Sequence, residues 1–399
     1  MRKRRLKMPR KDSILSLPGF AIRKISSQSN PVVYEVHYRR RAYCVYCGGK
    51  RLRKKASFMR KVRHESLGHR PTLLWFKAYK FYCVACRRYF NQRFPGIGKY
   101  QRATERLHYQ VFHLHTEGIS QKSLARDFKL GKGTIERWYH QGYQLAAQEI
   151  KVAHCPEVLG IDEHFFSKKQ GYATTLCNLR RHKIFDIVKG RSGEALKNYL
   201  QTLPGKERVK VVCMDLSSTY RQIVQEYFPQ AKIVADRFHV VRLLLHQCMQ
   251  TYQEIDPKIK YQRGLLAALR TKPDNLTAER LRRRDDYLKQ QPAIEAIYQF
   301  KQQCYRLLMK KTVTAKRCGR LIALFLKMVA ELKGSGFKRL ITLGKTFYQW
   351  REEIVRMWRF TKNNGITEGF HRKMKLIQRR AYGFRNFENY RLRVKVLCS

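Results

Sequence analysis

The chain has 399 residues, of which 85 are Lys or Arg and 29 are Asp or Glu, leaving a formal net charge of +56. Its 43% hydrophobic and 12% aromatic content excludes a disordered chain, and the length accommodates two or three domains with cores of their own. So large a positive excess repels itself unless a polyanion offsets it, so a nucleic acid is the expected partner.

Residues 1–30 read as a basic N-terminal arm that touches phosphates. Met1 to Lys11 are rich in Lys and Arg and lack the apolar stretch of a secretory signal. No apolar run approaches the roughly 20 residues of a membrane span, so no membrane partner is expected. Of the eleven cysteines, four sit in tight pairs and the rest are scattered singly. That distribution suits a reducing cytoplasm with one metal site and argues against a disulfide framework.

Residues 31–95 form the first expected module, marked by Cys44-Val45-Tyr46-Cys47 and Cys83-Val84-Ala85-Cys86. Each Cys-x-x-Cys wraps two thiolates onto one ion, and two pairs complete a tetrahedral sulfur shell for a single structural Zn²⁺. A redox pair or coincidence would not need two pairs flanked by basic and aromatic residues. Strands are expected around Lys61 to His64 and Leu73 to Phe81, in a module with little apolar core beyond the metal. Arg51, Arg53, Arg87, Arg88 and Tyr89 read as a phosphate-contacting surface, or as a solvated charged face.

Residues 96–150 read as helices arranged as a helix-turn-helix. Ser120 is placed to cap Gln121 to Phe128, a turn follows at Leu130-Gly131-Lys132-Gly133, and a second helix begins at Thr134. Leu124, Ala125, Phe128, Ile135 and Trp138 form the expected core. Lys132, Thr134, Glu136 and Arg137 would then face the major groove.

From Val158 the pattern changes to strands. Val158 to Phe166 carries Asp162, Tyr172 to Leu179 and Lys183 to Val188 follow, and Val209 to Asp215 ends in a second carboxylate. A helix from Gly193 to Leu203 precedes that strand. Another from Ser217 to Tyr227 follows it, leading to a strand Ala231 to Ala235 that ends in Asp236. This succession is that of an α/β ribonuclease-H-like fold, occupying 151–245 and 361–399, with Asp162 and Asp215 at one edge of the sheet. Paired carboxylates of this kind suit Mg²⁺ and phosphodiester chemistry. Glu163 reads as merely exposed, His164 as an accessory group at most. Asp236 either supports the metal site from the side or caps the helix beginning at Arg237, and His239 shares that supporting status.

Residues 246–360 are basic and helical in pattern. Candidate helices are Gln262 to Arg270, Thr277 to Gln290, Ala293 to Lys311, Thr314 to Leu332 and Leu340 to Trp358, separated at Pro273, Pro292 and Gly334-Ser335-Gly336. They read as an all-α insertion into the catalytic fold, a separate C-terminal domain being the competing assignment. A last helix from Thr367 to Arg380 places Glu368, His371, Arg372 and Lys375 on one face. That is a carboxylate beside three groups suited to a phosphate backbone.

Asp162, Asp215 and Glu368, the last within Asn363-Asn364-Gly365-Ile366-Thr367-Glu368-Gly369-Phe370-His371-Arg372-Lys373-Met374-Lys375, resemble the catalytic set of a DDE transposase of bacterial insertion sequences. The closest type is the ISL-three family. It combines an N-terminal zinc module, a helix-turn-helix and an interrupted DDE domain, and the resemblance runs from Cys44 to Arg393. It implies that the three carboxylates hold two Mg²⁺ (or Mn²⁺) ions for strand cleavage and strand transfer. Its partners would be the terminal inverted repeats and a target DNA, and pairing two ends would require at least a dimer. The Asp236-Arg237-Phe238-His239 run belongs to the same resemblance but is not its third catalytic carboxylate. Two rival readings are a nuclease that cuts without joining and a non-catalytic DNA-binding regulator, of which an inactive transposase copy is a variant.

Overall fold

The computed structural model describes residues 15–150, 154–311, 314–360 and 365–398, except the side chains of 315 and 365–368. The chain divides into two compact units, residues 1–149 with 380–382, and residues 150–379 with 383–399.

The first unit is built on a sheet of order β1-β2-β4-β3, with a short β5 on β4. Its strands are β1 (Phe20–Ser26), β2 (Val32–Tyr38), β3 (Leu52–Leu67), β4 (Arg70–Cys83) and β5 (Tyr89–Asn91). The long β3–β4 hairpin closes on Gly68, whose φ of 58° is a left-handed conformation that glycine adopts without strain. Val62, Leu74, Phe76 and Ala78 bury one face of the hairpin against Phe20, Val32, Tyr34 and Val36. Phe20, Phe76 and Phe94 meet with ring centroids 5.0 to 5.5 Å apart.

This arrangement corrects two expectations. The arm expected over 1–30 does not extend to residue 30. Leu15 and Leu17 are buried and β1 pairs with β2, because Leu15, Leu17 and Phe20 supply apolar area that the hairpin face needs. Met1 to Lys11 lie outside the described residues. Nor is the module poor in apolar core: an aromatic cluster from Leu15 to Ile97 packs without any of the four paired cysteines.

Three helices follow: α1 (Glu105–Thr116), α2 (Gln121–Asp127) and α3 (Lys132–Glu149). Thr104 and Ser120 cap α1 and α2 through their side chains. His64 joins the sheet to α1, its Nδ1 at 3.0 Å from Thr104 Oγ1 and its Nε2 at 3.0 Å from the Leu15 carbonyl. Leu124, Phe128 and Ile135 are buried as expected. Trp138, however, is only half-buried against His108, and Tyr139 takes the interior position instead. The turn sits at Lys129, with φ of 48°, so α3 begins at Lys132 rather than Thr134.

The second unit holds a sheet of order β10-β9-β6-β7-β8. Its strands are β6 (Val158–Ser167), β7 (Gly171–Asn178), β8 (Lys183–Lys189), β9 (Val211–Met214) and β10 (Lys232–Ala235). β6 pairs with β7 and β7 with β8 antiparallel, whereas β9 pairs with β6 and β10 with β9 in parallel. Two helices connect these parallel strands, α4 (Gly193–Gln201) before β9 and α5 (Ser218–Tyr227) before β10. A long α6 (Arg237–Ile255) follows β10. Beyond it come α7 (Arg263–Arg270), α8 (Ala278–Gln290), α9 (Pro292–Met309), α10 (Ala315–Lys333), α11 (Lys338–Gln349) and α12 (Arg351–Arg359).

One continuous core joins the sheet residues Leu159, Ile161 and Met214 to α6 and onward to Phe347 and Trp358. The helical stretch is therefore not a separate domain. Its expected boundary at 246 falls inside α6, and the single helix expected from Leu340 to Trp358 breaks at Trp350. Two last helices, α13 (Gly365–Arg380) and α14 (Phe387–Cys398), form a second core with Phe166, Ala173, Cys177 and Cys213. Among the described residues no helix is long and apolar enough to cross a membrane.

Candidate active site and cysteine cluster

Strand register determines which carboxylates meet. Gly160 on β6 pairs with Cys213 on β9, so Asp162 and Asp215, two residues further along parallel neighbours, project from the same face. Ala235 pairs with Met214, which brings Asp236 beside Asp215, each just past the end of its strand. Asp162 does not end its strand, since β6 runs on to Ser167 in pairing with β7, but the shorter β9 and β10 stop beside it, so Asp215 and Asp236 at their carboxyl ends stand next to Asp162 at one edge of the parallel part of the sheet.

Asp162 is buried and accepts the Glu163 backbone N–H at 2.8 Å through Oδ1. Its Oδ2 lies 3.9 Å from His371 Nδ1 on α13. Burial pushes the Asp162 carboxyl up to about 6, against the pull of nearby His239 and with added repulsion from Asp236 and Asp215. Asp215 is raised for the same first reason, with His239 opposing and Glu163 and Asp236 reinforcing the shift. Asp215 Oδ1 is buried with no hydrogen-bond partner among the described residues. A buried carboxylate oxygen without a donor, beside two like charges, is a set suited to a hard divalent cation.

Of the two readings of Asp236, the helix cap is observed. Asp236 caps α6 by accepting the Phe238 N–H at 3.3 Å, and it stands 3.6 Å from His239 Nε2 while facing the other two carboxylates. Glu163 is half-buried and pairs with Arg191 at 3.4 Å. His164 is buried, not exposed at a strand end, and burial pushes its imidazole down to about 3, with His371 and Lys375 adding to the shift.

His164 belongs to a hydrogen-bonded chain across three elements. Tyr390 OH on α14 lies 3.0 Å from His164 Nε2, and His164 Nδ1 lies 2.9 Å from Thr175 Oγ1 on β7. Thr175 Oγ1 is then 3.3 Å from His371 Nε2. With both imidazoles neutral, one direction satisfies every member. Tyr390 donates to His164, His164 to Thr175 and Thr175 to His371, which leaves the His371 Nδ1–H facing Asp162. Thr175 and Tyr390 were not legible as site residues, since they lie far apart in sequence and no spacing connects them.

Arg372 and Lys375 are exposed on α13. Glu368 lies in the first turn of the same helix, three residues before His371, but its side chain is outside the described residues. On α3, Lys132, Glu136 and Arg137 are exposed and Thr134 is half-buried. Arg137 donates to the Gly133 carbonyl at 3.2 Å, and Glu136 accepts from Gln121 at 3.4 Å across the helix pair.

The four paired cysteines converge, all their sulfurs within 4.8 Å of one another. The Cys44–Cys86 and Cys47–Cys83 separations are 3.5 and 3.6 Å, close to the ~3.8 Å edge of a tetrahedron with Zn–S bonds of about 2.3 Å. Opposing the effect of burial, the backbone N–H groups of Cys47 and Tyr46 draw the Cys44 thiol down to about 6, which favours the thiolate a metal needs. Among the described residues no other group of three or more ligand-type side chains gathers as closely. Because the Leu15-to-Ile97 core packs without these cysteines, Cys83→Ser should abolish bound zinc, read by atomic absorption, while leaving the unit folded. Loss of the sheet signal in circular dichroism along with the zinc would contradict that separation.

Comparison with known proteins agrees on all three parts. Residues 159–394 match a family described as a transposase of the ISL3 type, residues 92–143 a helix-turn-helix domain of transposase family ISL3, and residues 40–86 a zinc finger of the transposases IS204, IS1001, IS1096 and IS1165. The transposase for insertion sequence element IS1001 from Bordetella parapertussis is 26% identical over 366 residues, covering 88% of this chain and 87% of that protein.

Proposed function

Since the chain belongs to the ISL3 transposase family, we propose that Asp162, Asp215 and Glu368 are its catalytic carboxylates, carried on a ribonuclease-H-like sheet. The protein is a DNA transposase, and a purely DNA-binding regulator is not favoured. The strand order β10-β9-β6-β7-β8, antiparallel on one side of β6 and parallel on the other, supports the ribonuclease-H-like assignment. On this reading α7 to α12 are an insertion between Asp236 and Glu368 that shares the sheet's core.

The observation that carries the site assignment is the approach of His371 to Asp162. One turn before His371, on the same face of α13, stands Glu368, so the helix is suited to deliver a third carboxylate to the edge where Asp162 and Asp215 meet. These three would hold two Mg²⁺ or Mn²⁺ ions, which when bound supply Lewis-acid activation of the attacking oxygen and neutralise charge at the phosphodiester. The chain's own groups position. The Glu163 N–H fixes Asp162, the Tyr390–His164–Thr175 chain aims His371, and Arg372 and Lys375 hold the DNA backbone outside. Asp236 and His239 support the carboxylates from β10 and α6. Water attack frees a 3′-hydroxyl at the element's end, and in-line attack of that hydroxyl on target DNA forms the new phosphodiester and releases a target 3′-hydroxyl. No protein nucleophile takes part.

The zinc module and helix-turn-helix recognise the terminal inverted repeats, and holding two ends together calls for at least a dimer. Exchange of a labelled end into plasmid DNA, dependent on Mg²⁺ or Mn²⁺, tests the reading. Cleavage without joining would favour a nuclease. Within the helix-turn-helix, Arg137→Ala is expected to weaken binding of end-bearing duplex and to lower the slope of log affinity against log salt by about one. An unchanged slope in a fluorescence-anisotropy titration would remove Arg137 from the phosphate-contacting set.

A further inference from the structure

A groove of the first unit is lined by the β3–β4 hairpin, β5, the turn between Cys44 and Cys47 and the loop running on to Arg102. Its volume is about 720 Å³, a size typical of sites that take a discrete ligand rather than a flat surface. Five large apolar side chains line it and stay in solvent: Tyr46, Phe58, Met59, Tyr89 and Tyr100, between 39% and 77% exposed. None of them belongs to the buried core of the sheet.

Between these rings stand Arg60, Lys61, Lys80, Arg93, Lys99 and Arg102, and the lining includes no acidic residue. Two of the cations already sit over the rings, Lys80 at 5.5 Å from the centroid of Tyr89 and Lys99 at 4.8 Å from that of Tyr100. Arg88, from outside the groove, covers Tyr46 at 5.2 Å. Exposed aromatics normally mark a surface waiting for a partner. A second copy of this chain is a poor occupant, since a chain of net charge +56 would oppose cations with cations. A nucleic acid satisfies both halves of the lining. Paired bases, however, are stacked on each other and offer duplex edges and phosphates, which call for cations but not for open aromatic faces.

We propose that this groove binds unpaired DNA, stacking bases on Phe58, Tyr89 and Tyr100 while the Lys and Arg side chains hold the backbone. Resting on the transposase reading, it assigns the groove to a short single-stranded segment of the DNA substrate, in addition to the duplex read by the helix-turn-helix. The stacking faces make it tolerant of sequence, and the cations make it sensitive to salt.

The test uses the full-length protein and two labelled probes at one salt concentration, a dT12 oligonucleotide and a duplex carrying the element's end. Phe58→Ala with Tyr100→Ala is the main variant, because both side chains are exposed and neither lies among the cysteines. Loss of stacking should weaken dT12 binding roughly tenfold or more and leave duplex binding within about twofold. Phe58→Trp with Tyr100→Trp should bind dT12 at least as tightly as wild type. Unaltered dT12 affinity in the alanine variant, or an equal loss on both probes with zinc content and melting unchanged, would overturn the proposal. So would failure of the wild-type protein to bind dT12. Strand transfer is scored separately, so an inactive protein that still binds dT12 through these rings would sink the transposase reading and leave the groove's chemistry intact.

Discussion

Asp215→Asn is expected to lower end cleavage by at least ~10³-fold while leaving binding of the end-bearing duplex within about twofold. The substitution preserves shape and removes only the charge, so a loss of this size requires the carboxylate itself. Asp236→Asn should cost less, in the 10–100-fold range typical of groups that support ligands, because Asp236 is engaged in capping α6. Equal losses at the two positions would remove that distinction, and full activity in the Asp215 variant would end the three-carboxylate reading. The variant should also melt no lower than wild type in the absence of divalent metal. Burial already disfavours the charge at Asp215, with Glu163 and Asp236 adding repulsion, so a neutral amide relieves the folded state. A drop in stability would mean that the carboxylate has a structural partner and that the activity loss is indirect.

Arg391→Met is expected to destabilise the second unit by on the order of 3 kcal/mol, a drop in Tm of roughly 6–12 °C for a unit of this size. Arg391 on α14 grips buried Asp186 on β8 with two hydrogen bonds of 2.7 Å each. Tyr199 OH at 3.1 Å, Lys395 at 3.2 Å and the Ile187 backbone N–H at 2.8 Å also donate to Asp186. Burial alone would raise Asp186, but the Arg391 hydrogen bonds and the Lys395 charge outweigh it and hold the carboxyl below its ordinary value. A depressed folded-state value means the stabilisation is present above the unfolded value of 3.8 and is lost as pH falls through the folded one. The gap in stability between wild type and variant should therefore be full near neutrality and close below about pH 4. A gap that does not vary with pH would show that Arg391 acts through the packing of its stem rather than its charge. The contact matters for the site, because α14 also carries Tyr390, the start of the chain that aims His371 at Asp162.

Much of this was legible in the residues because it is local. Four cysteines in two Cys-x-x-Cys pairs specify a metal shell by spacing alone, and their sulfurs converge. Ser120 before Gln121 to Asp127 announced a helix start through its side-chain cap. Apolar runs leading to Asp162 and Asp215 revealed the strands and their carboxylates, although β6 continues past Asp162 to Ser167 and only Asp215 stands at a strand end. The charge of +56 announced a polyanionic partner before any fold was known.

What the sequence could not settle depends on where distant segments pack. Leu15, Leu17 and Phe20 look like part of a basic tail until the face of the β3–β4 hairpin is there to bury them. The helices from α7 to α12 read as an insertion, with a separate domain as the competing assignment, and only the structure shows their apolar sides merging with those of Leu159 and Met214 in one core. His164 looked incidental because the partners that order it, Thr175 and Tyr390, are 11 and 226 residues away. Sequence by itself determined the partner class, the cysteine pairs that converge and the candidate carboxylates, because composition, spacing and strand pattern are properties of short stretches. Only the tertiary structure decided which imidazole faces which carboxylate, which helices share the sheet's core and where aromatic rings stay open among cations. Each of those is a contact between segments whose separation along the chain carries no information about their separation in space.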